Sequence, residues 1–248
     1  MALTQLHAVV YVISRQSSAI TRYHAVTHVR LEDIIVKNLS MPWDIAACEQ
    51  TSIVYVSESP ACVWRVSSDG EDVKLWLSKS PSDTQWTLSV TSSRLLVTSV
   101  SANQLTQFDE VGNELRRVDL PDDMKPEHAM ESPTGTFIVS HENTQLKQDQ
   151  VSEVDTGGQV LRQFSGSRLV PLGFTPHIAV DSQGNIFVAD RDNRRILLLN
   201  SELTLRRVII DEHQLKDKRP ECLCYTEKSG QLLVGFDDGA AVFDVLRR

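Results

Sequence analysis

Six times along this chain a short apolar run closes on a valine: Val10-Tyr11-Val12, Val54-Tyr55-Val56, Leu95-Leu96-Val97, Phe137-Ile138-Val139, Phe187-Val188 and Leu232-Leu233-Val234. The closing valines stand 41 to 49 residues apart. Other segments keep the same beat. "PWDIAAC" from Pro42, "QWTLSV" from Gln85, "PEHAM" from Pro126, "PHIAV" from Pro176 and "PECLC" from Pro220 lead into five of the runs. Val63-Trp64-Arg65-Val66, Leu105-Thr106-Gln107-Phe108, Ile196 to Leu199 and Ala241-Val242-Phe243 follow four of them. Asp69-Gly70, Gly112-Asn113, Gly157-Gly158 and Gln183-Gly184-Asn185 punctuate the pattern, with glycine available for the positive φ of a tight turn. A period in the forties with four short strands per unit is the pattern of β-propeller blades.

The faces of these strands agree with that reading. Ile178-Ala179-Val180, Ile186 to Ala189 and Ile196 to Leu199 are apolar on both sides, whereas Leu205 to Ile210 is interrupted by Arg206 and Arg207. A blade stacked between two others buries both faces of its inner strands, and only its outermost strand meets water. A sandwich would leave each strand half polar. A doubly wound α/β chain needs helices that the pattern does not offer. The expected fold is therefore all-β, a six-bladed β-propeller of four-stranded antiparallel blades. The blades should cover about 1–37, 41–77, 84–120, 125–164, 174–210 and 219–248 of one domain spanning 1–248. Sliding Val12 onto Val56 sets Met1 opposite Ile45, and the last unit runs out at "FDVLRR". We therefore expect the first and last blades to be incomplete and ring closure to be imperfect, or the chain to be part of a longer multidomain protein.

Composition narrows the function classes. With 41% hydrophobic and 23% charged residues the chain is an ordinary globular one. No apolar run approaches the roughly 18 residues of a membrane span, and the first residues lack a basic n-region, so a cytoplasmic protein without a membrane anchor is expected. A net charge of −8 argues against nucleic acid as the partner. Cys48, Cys62, Cys222 and Cys224 have no zinc-finger spacing and read as reduced, packed thiols. Arg116-Arg117, Arg206-Arg207 and Arg247-Arg248 fall in fourth strands, where charge blocks sheet-to-sheet association.

Residues 174–210 resemble the NHL repeat: Ile178 to Asp181, then Gly184-Asn185-Ile186-Phe187-Val188-Ala189-Asp190, Asn193 and Arg195-Ile196. The second blade shares this moderately. The Asp–Asn–Arg signature is absent from blades one, three, four and six. The resemblance implies a six-bladed propeller of the kind found at the end of tripartite-motif and RING-associated ubiquitin ligases, where it binds protein or RNA partners. No RING, B-box or coiled-coil segment is present in the sequence, so ligase activity does not carry over. Asp190, Asn193 and Arg195 read as structural, an acid at a strand end pairing with the arginine that begins the next.

First-strand starts and the loops joining second to third strands should share one face of the disc. Trp43, Asp44, Trp86, Glu127, His128, His177 and Glu221 fall at the former, and Glu58, His141, Glu142, Arg191, Asp192, Asp237 and Asp238 at the latter. These form the candidate ligand face, because loops on a rigid scaffold carry function. A calcium-type site would draw on Asp44, Glu127 and Glu221, but too few oxygens converge by sequence. A zinc site would need His128, His177 and a third ligand. No nucleophile elbow or phosphate loop occurs. The expected function is a monomeric, non-catalytic scaffold that binds a protein or peptide and holds no metal or cofactor. A metal-dependent hydrolase and a single-stranded RNA binder are the alternatives.

Overall fold

The structure, a computed structural model, describes residues 1–78, 85–167 and 170–245. Among them there are 23 β-strands and no α-helix. The chain resolves into two compact units, Met1–Arg117 and Val118–Arg248.

In the first unit, the first blade is β1 (Ala2–Leu6), β2 (Val9–Ile13), β3 (Ala19–His24) and β4 (Ile34–Ile35). The second is β5 (Pro42–Cys48), β6 (Ile53–Glu58), β7 (Cys62–Ser67) and β8 (Val73–Ser78). The third is β9 (Trp86–Thr91), β10 (Arg94–Ser99), β11 (Gln104–Phe108) and β12 (Glu114–Asp119), whose last two residues already belong to the second unit. That unit continues with β13 (Met124–Glu131), β14 (Phe137–Asn143), β15 (Gln148–Val154) and β16 (Val160–Phe164) as blade four. Blade five is β17 (Ile178–Val180), β18 (Ile186–Asp190), β19 (Arg195–Leu199) and β20 (Leu205–Ile210). Blade six is β21 (Cys222–Thr226), β22 (Gln231–Phe236) and β23 (Gly239–Asp244). Every sheet pairs its strands antiparallel in chain order, and the fold is a six-bladed β-propeller.

The two-faced apolar strands find their reason in the packing. Ile186 and Val188 of β18 join a core with Ile138 and Val151 of blade four. Phe187 and Ala189, between them in sequence, join a separate core with Leu223 and Val234 of blade six. Alternate residues of one strand thus serve two neighbours, so a polar residue on either side would be buried. In the first unit Tyr55 and Val63 of blade two pack on Trp86, Leu88 and Phe108 of blade three.

The hairpins use one recurrent device. Asp109, Asp155 and Asp181 each accept backbone N–H groups through the side chain, and each also accepts, on its backbone carbonyl, the N–H of a glycine three residues on. Those glycines, Gly112, Gly158 and Gly184, have φ of 96°, 88° and 80°. Asn200 builds the same turn around Leu203, a non-glycine at φ 56°.

The expectation of an incomplete first blade is corrected by the coordinates. Ala2 to Leu6 pair with Ile13 to Val9 in unbroken register, so five residues suffice for this innermost strand. In blade two Trp43 and Asp44 of "PWD" form a bulge between the Pro42–Glu58 and Ile45–Val56 pairs, so the unbroken ladder begins only at Ile45. Blade six has three strands among the described residues, and Arg247 and Arg248 lie outside them.

Candidate functional site

A carboxylate or imidazole two residues past the repeating valine anchors several blades. In blade five this is Asp190, fully buried at the end of β18. It accepts the Gly173 N–H at 3.0 Å, Asn193 Nδ2 at 2.8 Å and Arg195 Nε at 2.7 Å. Arg195 and Asn193 also donate to the Pro171 carbonyl, so the segment before β17 is tied to the β18–β19 turn. In blade two the same position is Glu58. Its Oε1 accepts the Ser40 N–H and hydroxyl at 2.6 and 2.7 Å, and its Oε2 accepts the Trp64 indole N–H at 2.7 Å. Burial pushes the Glu58 carboxyl up, but the donors from Trp64, Ser40 and Met41 together outweigh it and leave the carboxyl below its ordinary range. The glutamate–tryptophan pair of blade two does the work of the aspartate–arginine pair of blade five. Blade four has His141 there, buried, with Nε2 at 2.8 Å from the Ser152 hydroxyl and its pKa lowered to about 4 by burial.

The structure therefore draws several candidate contact residues inward. Glu58 and His141 are anchors with little surface, because the strand end they occupy is where the chain folds back on itself. Trp86 is buried in the core with Tyr55 and Phe108. Asp44, also buried, accepts the Ile45 N–H at 2.8 Å on one oxygen and the Leu88 N–H at 2.7 Å on the other, joining blade two to blade three. Burial raises its pKa to about 6. Trp43 remains half-buried, with the Arg15 guanidinium 4.0 Å above its ring.

In the second unit two groups of side chains stay accessible. One centres on Arg191, whose Nε donates to Glu221 at 2.5 Å and whose guanidinium lies 5.9 Å from the Phe174 ring. Glu221, and behind it Asp192 and Asp237, hold Arg191 above its usual pKa. Asp192 and Asp237 are exposed, and Asp238 is paired with Lys218 at 3.0 Å. The other group is a row set by strand register: Lys125 of β13 opposite Glu142 of β14, and Glu142 opposite Asp149 of β15. Glu127 joins the row from the bulge between Pro126 and His128, with Lys125 Nζ 3.9 Å from both Glu127 and Glu142. Burial, with Asp149 and Glu142 adding to it against Lys125, pushes Glu127 up to about 7. Burial with Glu142, Asp192 and Asp190 pushes Asp149 up to about 6.

Asp149 was not among the sequence candidates. The "HENTQLKQD" hairpin of blade four is longer than its counterparts, so its third strand starts late and carries an acid into the row. The cross-strand register that would reveal this is a property of pairing, which the residue order alone does not show.

Behind these groups His128 and His177 stack, with ring centroids 3.7 Å apart and planes at 24°. His128 is buried, and His177 immediately precedes β17 one blade on. The Leu223 N–H donates to His177 Nδ1 at 3.4 Å. Burial and the neighbouring His128 hold His177 well below the ordinary histidine pKa, so the ring is neutral with its proton on Nε2. The four cysteines are free thiols, and burial with Glu58 nearby pushes Cys62 up to about 12, which leaves no reactive thiolate there.

No family model matches the chain, and no curated protein matches it. Solved structures do. Virginiamycin B lyase from Staphylococcus aureus superposes with a TM-score of 0.71 at 14% identity, covering 98% of this chain and 78% of that one. Hydrazine synthase from Kuenenia stuttgartiensis gives 0.69 at 12% identity, covering 98% and 94%. A chain of a nidogen/laminin complex gives 0.67 at 12% identity, covering 86% and 80%. At these identities the likeness is one of fold. It corrects one expectation: an architecture shared with a lyase gives no ground for expecting a protein without catalytic activity. The TM-scores establish the propeller, while the NHL likeness rests on the residues of blade five. No helix among the described residues is long and apolar enough to cross a membrane.

Proposed function

We propose that this propeller recognises a protein or peptide partner through the loop end of blades four to six, in the manner its NHL-like fifth blade suggests. The observation that carries this reading is the clamped Arg191. The buried Asp190 staple holds its loop, Glu221 fixes its guanidinium, and Asp192 and Asp237 remain exposed beside it. Such a surface loses little side-chain entropy when a partner binds. The acids Glu127, Glu142, Asp149 and Asp192 favour a segment bearing lysine or arginine. Peptide-display selection against the purified chain should return basic sequences, and Asp192→Lys or Glu142→Lys should weaken their binding by about tenfold or more. Peptides that bind both variants as well as the parent chain would overturn the reading.

The stacked imidazoles favour a second reading, acid–base chemistry on a bound ligand. Among the fold neighbours is a catalytically inactive virginiamycin B lyase, its histidine replaced by alanine, with quinupristin. Here the neutral His177, proton on Nε2, would exchange a proton with the ligand while the Leu223 amide holds the ring. An activity that survives His177→Gln unchanged would exclude that role for His177.

A further inference from the structure

The first unit carries positive charge at its loop end, where the second carries acids. Arg15 lies exposed in the turn between β2 and β3, with its guanidinium over the Trp43 ring of the next blade. Among the described residues no carboxylate pairs with it. The two acids placed at this end, Asp44 and Glu58, are buried and already accept hydrogen bonds on both oxygens. Lys37, exposed in the segment leading into β5, adds a second positive charge. The β6–β7 and β10–β11 turns, 59–61 and 100–103, bring no charged residue to offset them. Met41, 55% exposed, stands two residues before Trp43. The backbone is pinned on both sides of the indole. Glu58 accepts the Met41 N–H at 3.3 Å, the Ser59 N–H donates to the Met41 carbonyl at 3.1 Å, and the Asp44 N–H donates to the Ser57 hydroxyl at 3.0 Å.

We propose that Arg15, Trp43 and Met41 form a binding site of their own, which takes an acidic segment of a partner protein carrying an apolar side chain beside an aspartate or glutamate. Stacking on the indole engages the flat face of the guanidinium and leaves its N–H edge to grip a carboxylate in fork geometry. It also restrains a long side chain, so less rotamer freedom is lost when the carboxylate arrives. Met41 and the uncovered part of the indole offer the apolar contact, and arginine, tryptophan and methionine are residues that interface centres favour. Charge complementarity selects an acidic occupant, since the end's own acids are sequestered by backbone and side-chain donors. A nucleic-acid strand fits less well. Two cations are few for a phosphate backbone, and the guanidinium already covers one face of the ring on which a base would stack. The site lies wholly within the first unit and does not depend on the acids of the second.

The test titrates a short blocked peptide, leucine–phenylalanine flanked by glutamates, into the purified chain and follows it by calorimetry. Saturable binding that weakens as salt rises is expected. Arg15→Gln, at an exposed position where circular dichroism can confirm the fold, should weaken it by about tenfold or more. Arg15→Lys keeps the charge but loses the planar fork, and should weaken it as well. Met41→Ser should reduce affinity without changing the salt dependence, because it removes apolar contact alone. Glu142→Lys should leave the acidic peptide unaffected, which separates this site from the acids of the second unit. Absence of saturable binding, or equal binding to the parent chain and Arg15→Gln, would overturn the proposal. So would full affinity in Arg15→Lys, which would reduce the site to a point charge. An oligouridylate that displaces the peptide and itself requires Arg15 would also overturn it, since a nucleic acid would then be the occupant.

Discussion

Asp190 and Glu58 show what a buried acid does at the end of a blade's second strand. Each gathers donors from the segment entering the blade and from the residues beyond the following turn, and both oxygens of each acid accept a hydrogen bond. Removing such an acceptor strands its donors. Asp190→Ala leaves Arg195, Asn193 and the Gly173 amide without their shared acceptor, and should cost about 3 kcal/mol or more in denaturant unfolding. A loss of under about 1 kcal/mol would show that water replaces the acid. The Asp190–Arg195 pair was legible from its five-residue spacing, because an acid and a base flank one tight turn. The Glu58–Trp64 pair was not, since an indole N–H as surrogate for a guanidinium carries no sequence signature.

At the scale of strands and hairpins, the turns were the most readable part of the chain. Glycine at positive φ and an acid three residues earlier are both local, and local geometry is written in adjacent residues. Gly158 carries a further constraint that is not local. A Cβ there would lie 2.2 Å from the Asp119 carbonyl oxygen, and its φ is 88°. Gly158→Ala should therefore destabilise by more than about 1 kcal/mol, beyond the backbone penalty alone. Gly135, with φ 82° and open space around its Cβ position, supplies the control. If Gly135→Ala costs as much, the approach of Asp119 is not what matters. The completeness of the first blade is not legible in the sequence, because Trp43 and Asp44 of "PWD" sit in a bulge and the unbroken ladder of blade two begins only at Ile45.

For the molecule as a whole, two sets of titrating groups oppose each other. Asp44 and Asp149 at about 6 and Glu127 at about 7 all lie above their ordinary values of 3.8 and 4.5, so the folded chain prefers them protonated. Each makes folding less favourable as pH rises from about 4 to 7. His141, at about 4, and His177, also lowered, act in the other direction: the unfolded chain takes up their protons below about 6.5, and stability falls with pH. The two sets cancel in part, and single substitutions should unmask them. Glu127→Gln removes one member of the first set. Relative to the parent chain it should be more stable near pH 7.5, with the gain fading by about pH 4.5, as read from denaturation midpoints across that range. An offset that stays constant with pH would show that Glu127 does not titrate there.

The sequence by itself determined the all-β class, the number of repeating units, the two-faced burial of inner strands and the turns, because each of these follows from residue type at short, regular spacing. Tertiary structure decided which polar groups face solvent. Glu58, His141 and Trp86 turned inward, and Asp149 joined Glu142 and Glu127, because pairing register and the approach of neighbouring blades set side-chain exposure.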